Sequence, residues 1–253
     1  MRSWLETLVH REETYPPGPE GVVLYAIGDI HGRSDCLASA HALIDRDIAR
    51  LGNRDRAVEV YLGDYIDRGP DSKGVIDRLI ERAATTSMVL LRGNHEIIME
   101  SFLWGLTPFD DWRKLGGLET ILSYGVDARA LLARGGTISP GDLAERLPLS
   151  HIRFMSALEN VHQFGRYCFV HAGLRPGIPA EKQSIEDLAW IREDFLNFAG
   201  DFGCVVVHGH TPVNAIEFLP NRVNIDTGAY ATNRLSVVRI DAEGLSVLED
   251  APR

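Results

Sequence analysis

The stretch VVLYAIGDIHG, residues 22–32, joins an apolar run to a polar turn and decides the fold. Its first part, Val22–Ile27, is short, continuously apolar and rich in β-branched residues, which is typical of a strand buried on both faces. Asp29 and His31 follow where that strand ends, each beside a glycine that allows a tight turn. The stretch therefore predicts a buried sheet with polar side chains at the carboxyl end of a strand.

Outward from this stretch, strands and helices alternate along the first part of the chain. Apolar residues at helical spacing predict helices over 34–52 and 72–84, and apolar runs predict strands at Ala57–Leu62 and Met88–Leu91. Such alternation is typical of an α/β sheet. The other predicted strands are Tyr167–Val170, Cys204–Val207, Arg222–Ile225, Leu235–Ile240 and Leu245–Leu248. An α/β front and a β-rich back predict two sheets packed in one domain, an α+β sandwich flanked by helices.

Two segments lie outside this alternation. Residues 1–20 are polar and end in PPGP, which predicts an N-terminal arm ahead of a single domain over 21–253. Residues 97–161 are typical of a helical insertion, with breaks at proline and glycine. Because the insertion lies between two strands that carry polar motifs, we expect it to pack beside or over the ends of those strands. Its aromatic residues, expected in the core, are Trp104, Phe109, Trp112 and Tyr124.

The composition is that of an acidic globular protein. The 253 residues include 26 Lys and Arg and 36 Asp and Glu, a formal charge of −10, which argues against a sequence-independent nucleic-acid binder. No apolar run approaches the ~20 residues that span a bilayer, and residues 1–17 contain no apolar signal core. The three cysteines, Cys36, Cys168 and Cys204, are too few and too scattered for a disulfide framework. We expect a cytoplasmic protein with neither nucleic acid nor a membrane as its partner; nothing in the sequence indicates the oligomeric state.

Five polar motifs each follow a predicted strand. They are GDIHG at 28–32, GDYIDRG at 63–69, RGNHE at 92–96, HAG at 171–173 and HGHTP at 208–212. One such motif alone is usually a turn, but the carboxyl ends of parallel strands share one edge of a sheet, so we expect all five to converge. The carboxylates gathered there would repel one another, and divalent cations would remove that cost.

The donor set predicts the class of metal. It is rich in oxygen and imidazole and contains no cysteine, which suits manganese, iron or zinc better than a thiolate zinc site. Two metals ~3.5–4 Å apart form the usual clamp for displacement at a phosphoester. Asp64 lies in the middle motif and is the natural carboxylate to bridge them.

Together the motifs resemble those of the phosphoprotein phosphatase (PPP) branch of the calcineurin-like metallophosphoesterases, and they resemble its bacterial serine/threonine phosphatases most. The resemblance extends from Gly28 to Pro212, which is most of the chain. It implies two mixed β-sheets packed face to face and flanked by helices. It also implies a metal-dependent phosphomonoesterase acting on a phosphoprotein or a small phosphoester, first of all a protein serine/threonine phosphatase, with phosphotyrosine as a further substrate. The implied cofactors are two divalent metal ions, with manganese expected and iron or zinc as alternatives.

The resemblance also assigns residue roles. Asp29, His31 and Asp64 would hold the first metal, and Asp64, Asn94, His171 and His210 would hold the second. A bridging water or hydroxide would be the nucleophile. His95 would protonate the leaving alkoxide while Asp67 orients it, and Arg68 and Arg192, with Asn94, would bind the phosphate.

Several residues keep an alternative interpretation. Arg192 lies on a predicted helix, where it could be a solvated surface charge, and Arg68 could be a structural turn residue. We expect His208 not to be a ligand. Tyr230 and Asp226 stay open between a role in the site and a role in their own turn. The histidines that match no motif, expected to be ordinary helix or surface residues, are His41, His151 and His162.

Two other functions remain as alternatives. Symmetrical dinucleoside tetraphosphate hydrolases resemble the chain in GDxHG, HAG and GHTP, yet they tend to carry GNHD and to lack the aspartate that orients the catalytic histidine. Asp67 and Glu96 in this sequence favour the phosphomonoesterase. A non-catalytic scaffold on the same fold is more remote, because no ligand and no acid histidine is missing. Pro212 stands where the broader superfamily often has a further histidine, which together with the acidic charge weakens a nuclease function.

Overall fold

Two β-sheets pack face to face in the computed structural model, which describes residues 7–12, 15–52, 56–133 and 136–250. In chain order the strands are β1 (Thr7–Glu12), β2 (Val22–Ile27), β3 (Arg56–Tyr61), β4 (Ser87–Leu90), β5 (Val161–Phe164), β6 (Tyr167–Val170), β7 (Val205–His208), β8 (Glu217–Leu219), β9 (Arg222–Asn224), β10 (Val237–Asp241) and β11 (Gly244–Asp250). The first sheet has the order β1-β11-β10-β2-β3-β4, and the second has the order β5-β6-β7-β9-β8.

Helices cover the outer faces and fill the long connection between β4 and β5. In chain order they are α1 (Ser34–Leu51), α2 (Ser72–Ala83), α3 (Asn94–Leu103), α4 (Phe109–Arg113), α5 (Gly117–Ser123), α6 (Ala128–Ala133), α7 (Pro140–Ala144), α8 (Leu149–Ser156), α9 (Ile185–Trp190), α10 (Glu193–Leu196) and α11 (Ala229–Thr232), with a 3₁₀ turn at Ala180–Lys182. None of the described helices is long and apolar enough to cross a membrane.

Alternation along the strands explains the layers. In β2, Tyr25 and Ile27 pack against the helices, in one core with Leu37 of α1. Their neighbours Leu24 and Ala26 face the second sheet instead, in a core between the sheets. The outer face of the second sheet forms a third core with α9 and α10. A strand covered on both faces needs apolar residues at every position, which is why 22–27 is a continuous apolar run.

Both sheets are mixed, as the resemblance implied. Strands β2, β3 and β4 are parallel, with Leu24 opposite Val58, whereas β10 runs antiparallel to β2. In the second sheet β6, β7 and β9 are parallel, and β5 and β8 are antiparallel edge strands. The parallel strands of each sheet therefore bring their carboxyl ends to one edge.

All eight predicted strands are present, with ends that differ by at most two residues. Three further strands, β1, β5 and β8, were not predicted, and each forms an edge of its sheet. Strand β1 falls within the predicted arm, where residues 7–12 pair with β11 rather than leading freely into the fold. The arm's remaining early positions, 1–6, 13 and 14, lie outside the described residues.

The predicted insertion at 97–161 contains most of six helices, and α3 begins three residues before it, at Asn94. Phe109, Trp112 and Tyr124 are buried in the core as expected, but the expectation for Trp104 is wrong, because its side chain is 80% exposed. Trp104 follows the last residue of α3 and ends that helix at the surface. The three cysteines are buried and free.

Candidate metal centre

The five motifs meet at the carboxyl ends of the parallel strands. Asp29 and His31 follow β2, the 63–69 motif follows β3, and Asn94 opens α3 soon after β4. His171 and His210 follow β6 and β7 in the other sheet. Hydrogen bonds join the two sheets at this edge, because the backbone N–H of His210 donates to Asp29 Oδ2 at 3.0 Å. The predicted convergence is therefore present.

Two groups of buried ligand atoms share Asp64. The first group is His31, Asp64 and His95, the second is Asp64, His171 and His210, and in each group the ligand atoms lie within 4.8 Å of one another. Asp64 Oδ2 lies 3.4 Å from His31 Nε2, while Oδ1 lies 3.4 Å from His171 Nε2. The carboxylate thus presents one oxygen to each group, as a bridging ligand must.

The imidazoles are held with a ring nitrogen turned into the site. His31 Nδ1 lies 2.9 Å from the carbonyl oxygen of Ile66, and His171 Nδ1 lies 2.8 Å from that of Leu62. A carbonyl can only accept, so each Nδ1 carries the proton and Nε2 keeps a lone pair. Burial also lowers the pKa of His31 to about 3, which favours the neutral ring that a metal requires.

Asn94 places its side-chain oxygen in the second group. Asn94 Oδ1 lies 3.0 Å from His171 Nε2 and 3.0 Å from His210 Nδ1. Burial lowers the pKa of His210 to about 3, so this ring too is neutral at pH 7. An amide oxygen and two neutral imidazoles beside a carboxylate form a donor set suited to manganese, iron or zinc.

Asp29, a predicted ligand, lies at this edge but belongs to neither group. Its carboxylate is buried, yet Oδ1 has no hydrogen-bond partner among the described residues. In the first group His95, rather than Asp29, stands with His31 and Asp64. Burial, with Asp226 and Asp64 nearby, raises the pKa of Asp29 well above its usual range. An unpaired oxygen in a crowd of buried carboxylates fits a divalent cation, which would remove both costs.

His95 forms a buried pair with Asp67. His95 Nδ1 lies 2.7 Å from Asp67 Oδ2, and both side chains are shielded from solvent. Burial lowers the pKa of His95, but the carboxylates of Asp64 and Asp67 outweigh it and raise the pKa above its usual value. The pair can therefore carry a proton into the site on His95 Nε2.

Two arginines reach the site, one beside each group of candidate ligands. The Arg68 guanidinium lies 3.1 Å from His31 Nε2 through Nη1 and 3.1 Å from His95 Nε2 through Nη2. Arg192 donates from Nε to His210 Nε2 at 3.1 Å. Arg192 was predicted on a helix, which is wrong: α9 ends at Trp190, and Arg192 stands in the junction before α10. That junction lets its guanidinium reach His210, although the residue as a whole is exposed.

Left-handed backbone is concentrated at the site. Six non-glycine residues in the described ranges have positive φ, and five of them are predicted site residues: His31, Asp64, Asp67, Arg68 and His210. Such a conformation costs about 1–3 kcal/mol per residue and persists only where the surroundings impose it. The fold around the site therefore imposes this backbone conformation on the predicted site residues.

Four residues that support the site were not predicted to do so. Glu96 accepts backbone N–H groups of Asp64, Tyr65 and Gly93, each at 2.9 Å, and so fixes the loop that carries Asp64. Its place in RGNHE was the available signal.

The other three supporting residues come from the helical segment. Trp112 Nε1 donates to Asp67 Oδ2 at 2.8 Å, and Thr120 Oγ1 donates to Asp67 Oδ1 at 2.6 Å. Gly116 accepts from the backbone N–H of Arg68, and a Cβ at Gly116 would lie 2.5 Å from that nitrogen. No local pattern signals these contacts, because they span about fifty residues of sequence.

The residues whose roles the sequence left open either reach the site or are held by partners outside it. Tyr230 reaches the site, with its ring edge-on to His31 at a centroid distance of 5.4 Å. Asp226 supports its own turn, where it accepts a hydrogen bond from the Gly228 N–H, and it also acts on the site, where it raises the pKa of Asp29. The histidines held by other partners are His208 against Arg222, His41 against Tyr61, His151 between Tyr124 and Asp77, and His162 against Glu159.

Comparison with known proteins adds the family. Asymmetrical bis(5'-nucleosyl)-tetraphosphatase PrpE of Anoxybacillus flavithermus is 27% identical over 256 residues, covering 89% of this chain and 94% of the relative. Serine/threonine-protein phosphatase 1 of Salmonella typhimurium is 28% identical over 228 residues, covering 86% and 91%.

A solved structure provisionally assigned as a diadenosine tetraphosphatase shares the fold, with a TM-score of 0.63 at 20% identity over 94% of this chain and 98% of that one. The family model described as calcineurin-like phosphoesterase matches residues 22–242, which include every motif of the site. The chain therefore belongs to the calcineurin-like phosphoesterase family.

Proposed function

We propose that the protein is a metal-dependent phosphomonoesterase that removes phosphate from serine and threonine side chains of phosphoproteins, with phosphotyrosine as a further substrate. The observation that carries this proposal is the buried Asp67–His95 pair, with 2.7 Å between Asp67 Oδ2 and His95 Nδ1. Membership of the family supports hydrolysis of phosphoesters, and the pair supports the choice among them.

The metal ligands would be the buried donors at the strand ends. Asp29, His31 and Asp64 would hold one divalent cation, and Asp64, Asn94, His171 and His210 would hold the other. When bound, such a pair lowers the pKa of water and offsets the negative charge of a phosphoester. Manganese is the proposed metal, because oxygen and imidazole donors suit it, with iron or zinc as alternatives.

The basicity of the leaving group determines whether the reaction needs a general acid. The alkoxide of serine or threonine is a strong base and leaves slowly unless it receives a proton as the bond to phosphorus breaks. A nucleotide leaves as a phosphate anion, which is a weak base and needs no such proton. A histidine that is held by a buried carboxylate and has a raised pKa is therefore suited to act as the general acid in hydrolysis of an alkyl phosphate.

The two arginines would bind the phosphate itself. Arg68 lies beside His31 and Arg192 beside His210, and each guanidinium can offer two parallel N–H donors to phosphate oxygens. This recognition uses only the phosphate, so the rest of the substrate is left to the surface around the site.

A second candidate is asymmetrical hydrolysis of dinucleoside tetraphosphates. It is favoured by the similarity to PrpE, which spans 89% of this chain and whose name states that activity. The symmetrical cleavage considered from the motifs differs from it in products: asymmetrical attack on diadenosine tetraphosphate yields ATP and AMP, whereas symmetrical attack yields two ADP.

One panel of substrates tests the proposal. Metal-stripped protein is assayed with and without manganese on a phosphothreonine peptide, a phosphotyrosine peptide and diadenosine tetraphosphate. We expect manganese-dependent release of phosphate from the peptides at a higher kcat/KM than cleavage of the dinucleotide. A higher kcat/KM for the dinucleotide would overturn the protein phosphatase assignment, and its products would identify the mode of cleavage. The Asp64→Asn variant, prepared identically, controls for contaminating phosphatases.

A further inference from the structure

The Arg68 guanidinium rests on an aromatic ring. Its central carbon lies 4.8 Å from the centroid of the Tyr230 ring, and that side chain is 38% exposed at the mouth of the site. A cation–π contact of this kind uses the face of the guanidinium and none of its N–H groups. Tyr230 can therefore hold Arg68 in place without occupying any of its N–H donors.

The ring is carried by a very short element. Helix α11 has only four residues and is enclosed by two left-handed residues, Gly228 at φ 63° and Asn233 at φ 60°. One helical turn has almost no stability of its own. The position of Tyr230 must therefore depend on what anchors this turn from outside.

Arg33 is that anchor. Its Nη1 donates to the carbonyl oxygen of Ala229 at 2.9 Å and to Asn233 Oδ1 at 2.5 Å, at the two ends of α11. Its Nε and Nη2 donate to the two oxygens of Asp35 at 2.8 and 2.6 Å. The side chain of Arg33 is only 11% exposed. It therefore links the start of α1 to a turn almost 200 residues away.

These contacts form one connected path. Arg33 holds the turn, the turn carries Tyr230, and Tyr230 supports Arg68 beside His31 and His95. Arg33 itself is not among the residues that face the ligand groups. The contacts of its side chain reach the site through the turn.

We propose that Arg33 is a positioning residue for the phosphate site: by anchoring α11 it sets the Tyr230 ring that holds the Arg68 guanidinium ready for phosphate. The inference rests on the proposed function in one respect, since it takes phosphate as the group that Arg68 binds. Arg33 follows GDIHG directly in sequence, yet the motif gives no indication of this role.

The test measures binding of inorganic phosphate to the manganese-loaded protein by isothermal titration calorimetry. We expect Arg33→Gln to raise the Kd for phosphate about 3- to 30-fold, the range that loss of a cation–π contact allows. Tyr230→Leu should raise it within the same range. The matched control is Arg234→Gln, because Arg234 is an exposed arginine after the same turn whose side chain does not join the path. Its Kd should equal that of the wild type.

The double variant Arg33→Gln/Tyr230→Leu separates a shared path from two independent effects. If Arg33 acts through Tyr230, the Kd of the double variant for phosphate is no higher than the higher of the two single-variant Kd values. Multiplied effects, an unchanged Kd in Arg33→Gln, or loss of bound manganese from that variant would each overturn the proposal. If Arg33→Gln does not fold, Asn233→Gly removes one acceptor while keeping the left-handed backbone, and it should weaken phosphate binding in the same direction.

The measurement also separates this inference from the proposed function. Wild-type protein that binds phosphate but hydrolyses no phosphomonoester would contradict the proposed function and leave the positioning role standing. Wild-type protein that binds no phosphate would overturn the positioning role, whatever its activity.

Discussion

Asp64 is the residue common to both groups of candidate ligand atoms. Its two oxygens face different histidines, His31 on one side and His171 on the other, at 3.4 Å each. Its backbone is left-handed, at φ 51°, and Glu96 holds the backbone N–H. One buried carboxylate therefore belongs to both groups of ligand atoms, and the loop contact with Glu96 helps to fix its position.

Replacing Asp64 should affect the metal before it affects the chemistry. Asp64→Asn removes the negative charge that serves both groups, so we expect the variant to bind fewer than two metal ions after dialysis against buffered manganese. Elemental analysis measures the content directly. Asp67→Asn is the matched control, because Asp67 pairs with His95 and should leave both metals bound. Two tightly bound ions in Asp64→Asn would show that the bridge is elsewhere.

Replacing His95 should reduce turnover without reducing the metal content. His95→Asn removes the proton donor and no predicted ligand, so the metal content should stay at the wild-type level. Turnover of an alkyl phosphate should fall ~10²–10⁴-fold, and that of an aryl phosphate with a weakly basic leaving group should fall much less. Steady-state kinetics on both substrates measures the difference. Equal losses on the two, or undiminished turnover of the alkyl phosphate, would contradict an acid role.

Among the elements, the helical segment between β4 and β5 contributes to the site as well as to the core. Trp112 at the end of α4 and Thr120 in α5 donate to the two oxygens of Asp67, and all three side chains are fully buried. Two donors on a buried carboxylate satisfy both of its oxygens and fix its direction. The segment therefore orients the residue that orients His95.

Thr120→Val should remove one of the hydrogen bonds by which these helices orient Asp67. The change is nearly isosteric, but it leaves Asp67 Oδ1 without its donor, so kcat for an alkyl phosphate should fall about tenfold while the metal content is unchanged. Loss of one buried hydrogen bond should also lower the free energy of unfolding by about 1–3 kcal/mol. Thr120→Ser keeps the hydroxyl and should recover most of kcat. If Thr120→Ser is as impaired as Thr120→Val, the contact is only a matter of packing.

The same elements show what the sequence could predict. Strands such as β2 and β7 are covered on both faces, so their apolar runs are continuous and their ends were predicted to within two residues. Strands β1, β5 and β8 were missed because pairing with a distant or adjacent strand, not an apolar run, defines them.

The site follows the same rule. Its candidate ligands were predictable because they follow the ends of such strands, and all of them except His171 stand directly beside a glycine. Thr120 and Trp112 were not, because 53 and 45 residues separate them from Asp67 and only tertiary packing brings them together. The left-handed backbone of Asp64 and Asp67 was equally hidden, since even aspartate, which adopts this conformation more often than most residues, does so uncommonly.

Across the whole molecule, the metal centre lies where two sheets meet, and that position gathers acidic groups. Asp29, Asp64 and Asp226 are all buried there, although they come from distant parts of the chain. Burial and the other two carboxylates raise the pKa of Asp29. In the metal-free protein this repulsion opposes folding near pH 7.

Asp29→Asn should therefore stabilise the metal-free protein. A carboxyl group with a raised pKa contributes fully to stability below the pKa of the unfolded chain, about 3.9, and loses that contribution as the pH rises through its folded pKa. At pH 7 the variant avoids this loss, and its Tm in a chelator should rise, by about 2–4 °C for each kcal/mol of repulsion removed. Differential scanning calorimetry also tests the reverse effect, since added manganese should raise the Tm of the wild type more than that of the variant. A metal-free variant that melts below the wild type would contradict the repulsion.

Strand β1 meets its partner from the far end of the chain, since residues 7–12 pair in register with residues 245–250. Such a strand covers a row of backbone donors and acceptors on β11 without being tied to it by a turn. The same row would accept β1 from a second copy equally well, with identical hydrogen bonds. Exchange of this strand between two molecules is thus a route to dimers that requires no new surface, favoured by concentration and by anything that loosens the first residues.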